Sequence, residues 1–206
     1  MKDVMILTGA GQIGMAIARR MGYDKKIVIG DKNKANADAA SKIMNEAGFD
    51  AQAVETDLSL RDSILRLIDT AQQYGEIKML VNAAGVSPSQ ASIETILKVD
   101  LYGTAVLLEE VGKVVKRGAR GARINSISPG IIVTPLAIDE FNGPRGDFYK
   151  NMFANCPAGR PGTADEVANV AELLMEPKGA FITGADFLID GGATASYFYG
   201  PLKPSI

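Results

Sequence analysis

The sequence predicts an α/β fold, a doubly wound parallel sheet in a single domain, and three observations carry that prediction. Short apolar runs alternate with stretches of helical spacing along nearly the whole chain. The runs are apolar throughout, as strands covered on both faces are, and do not alternate with polar residues. The first run leads straight into a glycine-rich turn that opens a helix, "GAGQIG" at residues 9 to 14. At 206 residues and 47% hydrophobic content the chain can bury one sizeable core and is short for two.

Val4 to Leu7 reads as the first strand, Ile13 to Met21 as a helix, and Lys26 to Ile29 as a second strand ending at Asp31. This is a βαβ unit. A helix over Lys34 to Ala47, a strand over Ala51 to Glu55, a helix over Leu60 to Tyr74 and a strand at 78 to 85 continue the alternation. A long helix follows from Ile93 to about Val115, with Leu97, Leu101, Val106, Leu108 and Val111 among its apolar positions. "ARINSIS" at 122 to 128 is a strand, Asp165 to Met175 a helix, and "DFLIDGG" at 186 to 192 the final strand.

Composition narrows the chemistry. Twenty-two basic and 24 acidic residues are interspersed, for a net charge of -2, so there is no electrostatic footprint for nucleic acid and a small-molecule partner is expected. The absence of histidine removes Ser-His-Asp triads and the common zinc sites, and one cysteine, Cys156, builds neither a thiolate cluster nor an internal disulfide. A metal would have carboxylates alone. The amino-terminal apolar run is short and interrupted by Asp3, which fits neither a signal peptide nor a membrane span; a cytoplasmic protein is expected.

Gly9, Gly11 and Gly14 form G-x-G-x-x-G after a strand and at the start of a helix, the context that gives the motif meaning. Glycine lets the backbone approach a pyrophosphate, and the helix start offers unpaired N–H groups and a partial positive charge. An ordinary tight turn would use the same glycines. Asp31, about 20 residues on at the end of the second strand, can accept both ribose hydroxyls of an adenosine and repels a 2′-phosphate. NAD is therefore expected over NADP. NADP stays possible, because Lys32 or Lys34 could recruit that phosphate.

"TGAGQIG", "TDLS" at 56 to 59, "LVNAAG" at 80 to 85, "INSISPGIIVTP" at 124 to 135, "GRPGTADEVANVAELLM" at 159 to 175 and "FITGADFLIDGG" at 181 to 192 resemble the short-chain dehydrogenase/reductase family, in family order. The resemblance implies a Rossmann-type fold, NAD(P)-dependent interconversion of an alcohol and a carbonyl, and a homodimer or homotetramer. It makes Gly9, Gly11, Gln12, Ile13 and Gly14 the pyrophosphate loop, and places Asp57 and Leu58 at the adenine. Asn82, Ala83, Ala84 and Gly85 would line the cofactor and brace the sheet, while Pro129, Gly130, Ile132 and Thr134 would hold the nicotinamide carboxamide. The glycine loop is one residue shorter than the family's usual pattern. Asp100 stands where the family has a relay asparagine; it either alters that relay or is a solvated or capping carboxylate.

No residue is assigned the catalytic role. Family catalysis resembles acid–base work by a tyrosine with a lysine four residues on and a nearby serine. "YGEIK", Tyr74 to Lys78, has the spacing but precedes "LVNAAG", on the wrong side of the cofactor motif. Ser126 and Ser128 precede "PGIIVTP" directly, which matches the nicotinamide loop instead of the serine strand. A strand, its serine loop and the Tyr–Lys helix are thus missing near residues 115 to 121, a unit of about 30 residues or more. The chain is expected to lack an internal segment of its parent; if literally complete, it is a non-catalytic nucleotide-binding module. Residues 136 to 158 occupy the position of a substrate lid, where Phe141, Phe148, Tyr149 and Met152 shape a pocket or simply pack helices. The closing "SYFYGPLKPSI" is an aromatic tail suited to a subunit contact.

Overall fold

The structure, a computed structural model, describes residues 2–115 and 122–204. Residues 116–121, where the missing segment is expected, lie outside the described residues. The chain groups into two compact units, Met1–Ala122 and Arg123–Ile206.

The first unit follows the expected alternation: β1 (Lys2–Thr8), α1 (Gln12–Met21), β2 (Lys25–Asp31), α2 (Lys34–Glu46), β3 (Asp50–Glu55), α3 (Arg61–Tyr74) and β4 (Gly75–Asn82). All four strands are parallel, in the order β3-β2-β1-β4. β4 begins earlier than its sequence pattern suggests. A register shift between Val4 and Met5 lets it start at Gly75 opposite Lys2, and a Cβ at Gly75 would lie 1.9 Å from the Lys2 carbonyl oxygen.

The core follows from the apolar strands. Val4, Met5, Ile6 and Leu7 in β1 and Ile27, Val28 and Ile29 in β2 are wholly buried. Alternate residues face opposite sides of the sheet. Val4, Ile6 and Val28 join a cluster with Ile64, Leu67, Ile68 and Ala71 of α3. α1 takes the other face, where Gly14 packs on the Leu7 side chain and Gly22 on Ile27. Each fully buried Leu or Ile contributes about 1.5–3 kcal/mol.

The expected long helix is a run of three parts, α4 (Ile93–Ile96), a π-helical stretch Leu97–Gly103 and α5 (Thr104–Val114). The wide turns end at Gly103, whose Cβ would lie 2.6 Å from the Leu58 carbonyl oxygen, so this approach requires glycine. Beyond it Val106, Leu107 and Val111 complete the cluster under α3.

In the second unit β5 (Ser126–Pro129) and β6 (Asp186–Ile189) form a separate two-stranded parallel sheet. The four- and two-stranded sheets stand where sequence alternation suggested one sheet. α6 (Pro135–Phe141), α7 (Gly146–Asn155), α8 (Ala164–Met175) and α9 (Ala193–Tyr199) surround it in sequence. α8 opens with a capping box: Thr163 Oγ1 accepts from the Glu166 N–H (3.2 Å) and Glu166 Oε2 accepts from the Thr163 N–H (2.8 Å). Arg160 holds both Glu166 oxygens, at 2.9 and 2.6 Å, and lowers that carboxyl to about 2. At the other end of α8, the Arg123 guanidinium gathers the carbonyls of Leu174, Gly179 (2.8 Å), Ile182 (3.3 Å) and Glu176 (3.4 Å), a cationic cap on the exposed acceptors. Among the described residues no helix is long and apolar enough to cross a membrane.

Candidate functional site

Because β1 to β4 are parallel, their carboxyl ends share one edge, the edge at which open α/β sheets bind ligands. The turn after β1 is tightly built. Gly9 has φ +83°, and its N–H donates to the Gly30 carbonyl at 2.8 Å. A Cβ on Gly9 would lie 2.6 Å from Ala84 N, and one on Gly14 would lie 2.7 Å from the Gly9 oxygen. Gly11 differs, since a Cβ there would meet nothing within 4 Å. Gly11 is also the N-cap of α1, with no side-chain cap and no acidic residue in the first turn. The helix start, with Gln12 and Ile13, thus presents N–H groups and the positive end of its dipole without a built-in anion.

Asp31 is tied to that turn. Its Oδ2 accepts from the Ala10 N–H at 2.9 Å and its Oδ1 from the Asn33 N–H at 2.8 Å. A carboxylate offers about four acceptor positions, so capacity for two ribose hydroxyls remains. Asp57 follows β3. Its Oδ1 accepts from the Ser59 N–H (2.9 Å) and hydroxyl (2.7 Å), its Oδ2 pairs with Lys32 Nζ (2.9 Å), and its own N–H donates to Ser63 Oγ (3.0 Å). Partial burial pushes its pKa up, but the Ser59 and Lys32 bonds outweigh that and hold it below the usual aspartate value. Lys34, the other candidate for a 2′-phosphate, pairs with Asp38 one turn along α2. The Leu58 side chain is buried in the core cluster.

Asn82, at the end of β4, uses both ends of its amide. Oδ1 accepts from the Thr8 hydroxyl at 2.6 Å, and Nδ2 donates to Thr104 Oγ1 at 2.9 Å, joining β1, β4 and α5. The Ala83 N–H donates to the Thr8 carbonyl at 2.9 Å, and Ala84 and Gly85 continue past the glycine turn. Asp100, in the π-helical stretch, accepts from the Val86 N–H at 3.1 Å, so its carboxylate caps the segment after β4. Tyr74 lies at the far edge, closing α3 just before Gly75 pairs with Lys2 at the amino-terminal end of β1, while Lys78 lies midway along β4 and pairs with Glu76 at 2.8 Å.

The remaining candidates belong to the second unit. Pro129 ends β5, and the Gly130 N–H donates to the Ile189 carbonyl at 2.8 Å, with a Cβ there only 2.7 Å from the Asp190 Cα. Ile132 is buried and bridges to Gly162, while Thr134 caps α6 by accepting from the Ala137 N–H at 3.2 Å. The Ser126 and Ser128 hydroxyls both donate to Asp186 Oδ1, at 2.6 and 2.9 Å. Within residues 136 to 158, Phe141 meets Tyr149 and Phe153 edge-on, each at 5.3 Å between ring centres, and the Tyr149 hydroxyl donates to Glu140 at 2.8 Å. Met152 lines a small cavity with Ile131 and Cys156.

Sequence reasoning missed Thr8, Lys32 as the partner of Asp57, Ser59, Ser63 and Thr104. Only Ser59 carried a local signal, since a serine two residues after an aspartate is a common turn partner for it. The others meet their partners through strand register and helix docking.

A parallel sheet in this order, with a glycine turn and an uncapped helix start at its carboxyl edge, defines a Rossmann-type unit. The family model described as "short chain dehydrogenase" matches residues 3–129, and "Enoyl-(Acyl carrier protein) reductase" matches residues 115–194. The chain belongs to the short-chain dehydrogenase/reductase family, NAD- or NADP-dependent oxidoreductases acting on small molecules. It is 29% identical to the short-chain dehydrogenase/reductase bsc3 of Alternaria brassicicola, covering 94% of this chain and 96% of that one. That alignment runs over 264 positions, more than the 206 residues here, so it contains positions at which this chain supplies no residue. It is also 29% identical to D-threitol dehydrogenase of Mycolicibacterium smegmatis, covering 93% and 92% of the two chains. The fold matches a short-chain type dehydrogenase/reductase from Mycobacterium ulcerans with a TM-score of 0.82 at 20% identity, over 94% and 90% of the chains.

Proposed function

We propose that the Met1–Ala122 unit binds NAD in preference to NADP, with Asp31 holding the adenosine ribose. We further propose that the proton-transfer residues belong to an internal segment placed near residues 115 to 121. The observation that carries the cofactor reading is the join between Asp31 and the glycine turn: one carboxylate oxygen is fixed by the Ala10 N–H. Acidic and pyrophosphate-binding groups thus form one preset surface, on which a 2′-phosphate would face an anion. Bound NAD would supply the hydride acceptor. The first unit's own residues would position it, with the N–H groups of Gly11 to Gly14 at the pyrophosphate and Asp57 at the adenine.

The segment reading is supported by the alignment that outruns the chain and by two parallel sheets in place of one. Among the described residues no tyrosine is paired with a lysine at this edge, and positioning a cofactor is not proton transfer. The substrate is a hydroxyl-bearing small molecule or its carbonyl, a reading to which the D-threitol dehydrogenase relative adds support, and residues 136 to 158 would cover it. A cytoplasmic homo-oligomer fits the single thiol and the exposed Ile93, Leu97 and Leu101 along one helical run. Calorimetric titration tests the cofactor reading: Asp31→Ala should weaken NAD binding and improve NADP binding relative to it. Unchanged affinity for both would refute the assignment.

A further inference from the structure

Two residues beside the ribose carboxylate form a device that the glycine motif does not contain. β2 and β3 run in register to their ends, Asp31 opposite Glu55, and the Thr56 N–H donates to the Asp31 carbonyl at 2.8 Å. The segment after β2 and the segment after β3 therefore leave the sheet side by side. Lys32 is rooted next to Asp31, within reach of the place where a 2′-substituent on that ribose would sit. Its ammonium points across to β3 instead and sits 2.9 Å from Asp57 Oδ2.

The two partners are unequal. The Lys32 side chain is 70% exposed and has the rotamer freedom of its stem, whereas Asp57 is 21% exposed. Ser59 fixes the other Asp57 oxygen through two hydrogen bonds, and Asp57's own N–H is held by Ser63. Asp57 cannot follow Lys32 outward, so an incoming phosphate would have to pull the lysine off a fixed anion. It would also meet two carboxylates, Asp31 and Asp57, the second already paired with Lys32. We infer that Asp57 is a positioning residue that holds Lys32 away from the 2′-position and thereby enforces selectivity for NAD over NADP. The inference rests on the placement of adenosine ribose at Asp31 and adds the lysine lock to it.

Its test compares NAD and NADP affinities by calorimetric titration of the wild-type chain and four variants. Asp57→Asn keeps the acceptor for Ser59 and removes the charge that holds Lys32. Surface ion pairs are modest, so it should raise the ratio of NADP to NAD affinity by about three- to fivefold. In Lys32→Gln/Asp57→Asn the gain should shrink to about twofold, because only the repulsion by Asp57 is then relieved. Asp57→Glu retains the charge and should stay within about twofold of the wild-type ratio. Lys32→Gln alone should leave NADP affinity within about twofold of wild type, since a locked lysine is not serving the phosphate.

Equal gains in Asp57→Asn and in the double variant overturn the lock, as does a tenfold loss of NADP affinity in Lys32→Gln alone. That single variant lies on an exposed side chain and keeps the inference testable even if Asp57→Asn does not fold. Failure of the wild-type chain to bind NAD at all overturns the underlying ribose placement together with the lock. NAD binding with an unmoved NADP ratio overturns the lock only.

Discussion

Glycine serves opposite purposes within the β1–α1 turn. At Gly9 the backbone occupies the left-handed region and packs against Ala83 and Ala84, so an added methyl group has nowhere to go. At Gly11 the backbone is ordinary, at φ −76°, and the space is open, so a methyl would fit the protein and intrude on what binds there. Gly9→Ala should therefore cost about 1–3 kcal/mol of stability in urea denaturation. Gly11→Ala should unfold at the wild-type midpoint yet bind NAD more weakly in calorimetry. A Gly11→Ala chain with undiminished NAD affinity would separate the open space from the pyrophosphate site.

Among the elements, the strands of the first unit are tied at both ends by polar pairs of different kinds. At the carboxyl edge the ties are neutral, from Thr8 through Asn82 to Thr104. At the amino edge they are ionic: Asp50 at the start of β3 accepts from Lys26 of β2 at 2.7 Å and from Lys2 of β1 at 3.0 Å. The Lys26 bond first, and then the Lys2 bond, hold the Asp50 carboxyl below its usual value of 3.8 against a smaller opposing effect of burial. A group whose folded value is depressed stabilises fully above its unfolded value, and the contribution is lost as pH falls through the folded value. Asp50→Asn should accordingly be less stable than wild type at pH 7, with the gap closing below pH 3.8. Urea unfolding of both proteins at pH 7 and in acid measures this, and a gap that persists in acid would refute it.

For the whole molecule, each sheet is a fragment of a familiar order. Doubly wound folds continue from β3-β2-β1-β4 into further parallel strands. Here β4 pairs with β1 alone and β5 with β6 alone among the described residues. Buried backbone groups left without partners cost about 1–3 kcal/mol each, which is why an internal segment, and not a shortened natural sheet, is the proposed explanation. The 206-residue chain, 21.8 kDa by its sequence, should bind NAD and show no turnover with alcohols or ketones in a reduced-cofactor absorbance assay. The protein from its natural source should be several kDa heavier by intact mass spectrometry, active, and larger than a monomer by light scattering. A natural mass of 21.8 kDa, or robust turnover by the short chain, would rule the segment out.

The order of strands and helices in the first unit, the glycine turn and the acidic end of β2 were all legible in the amino-acid sequence, because each is written in neighbouring residues. Periodicity names the element, and glycine at fixed spacing names the turn. The position of the Tyr74 to Lys78 spacing ahead of "LVNAAG" was equally plain in the sequence, since order along the chain needs no coordinates. Other features depended on contacts between residues remote in sequence. Asn82 became a brace only when β1, β4 and α5 came together around it, and Lys32 found Asp57 only because β2 and β3 end in register. Asp100 could be a relay group or a cap on paper; the π-helical turn sets its carboxylate on the Val86 N–H. Tyr74 and Lys78 kept the right spacing, yet Tyr74 landed at the amino-terminal end of the sheet and Lys78 midway along β4, since strand direction, which spacing does not encode, decides which edge a residue reaches.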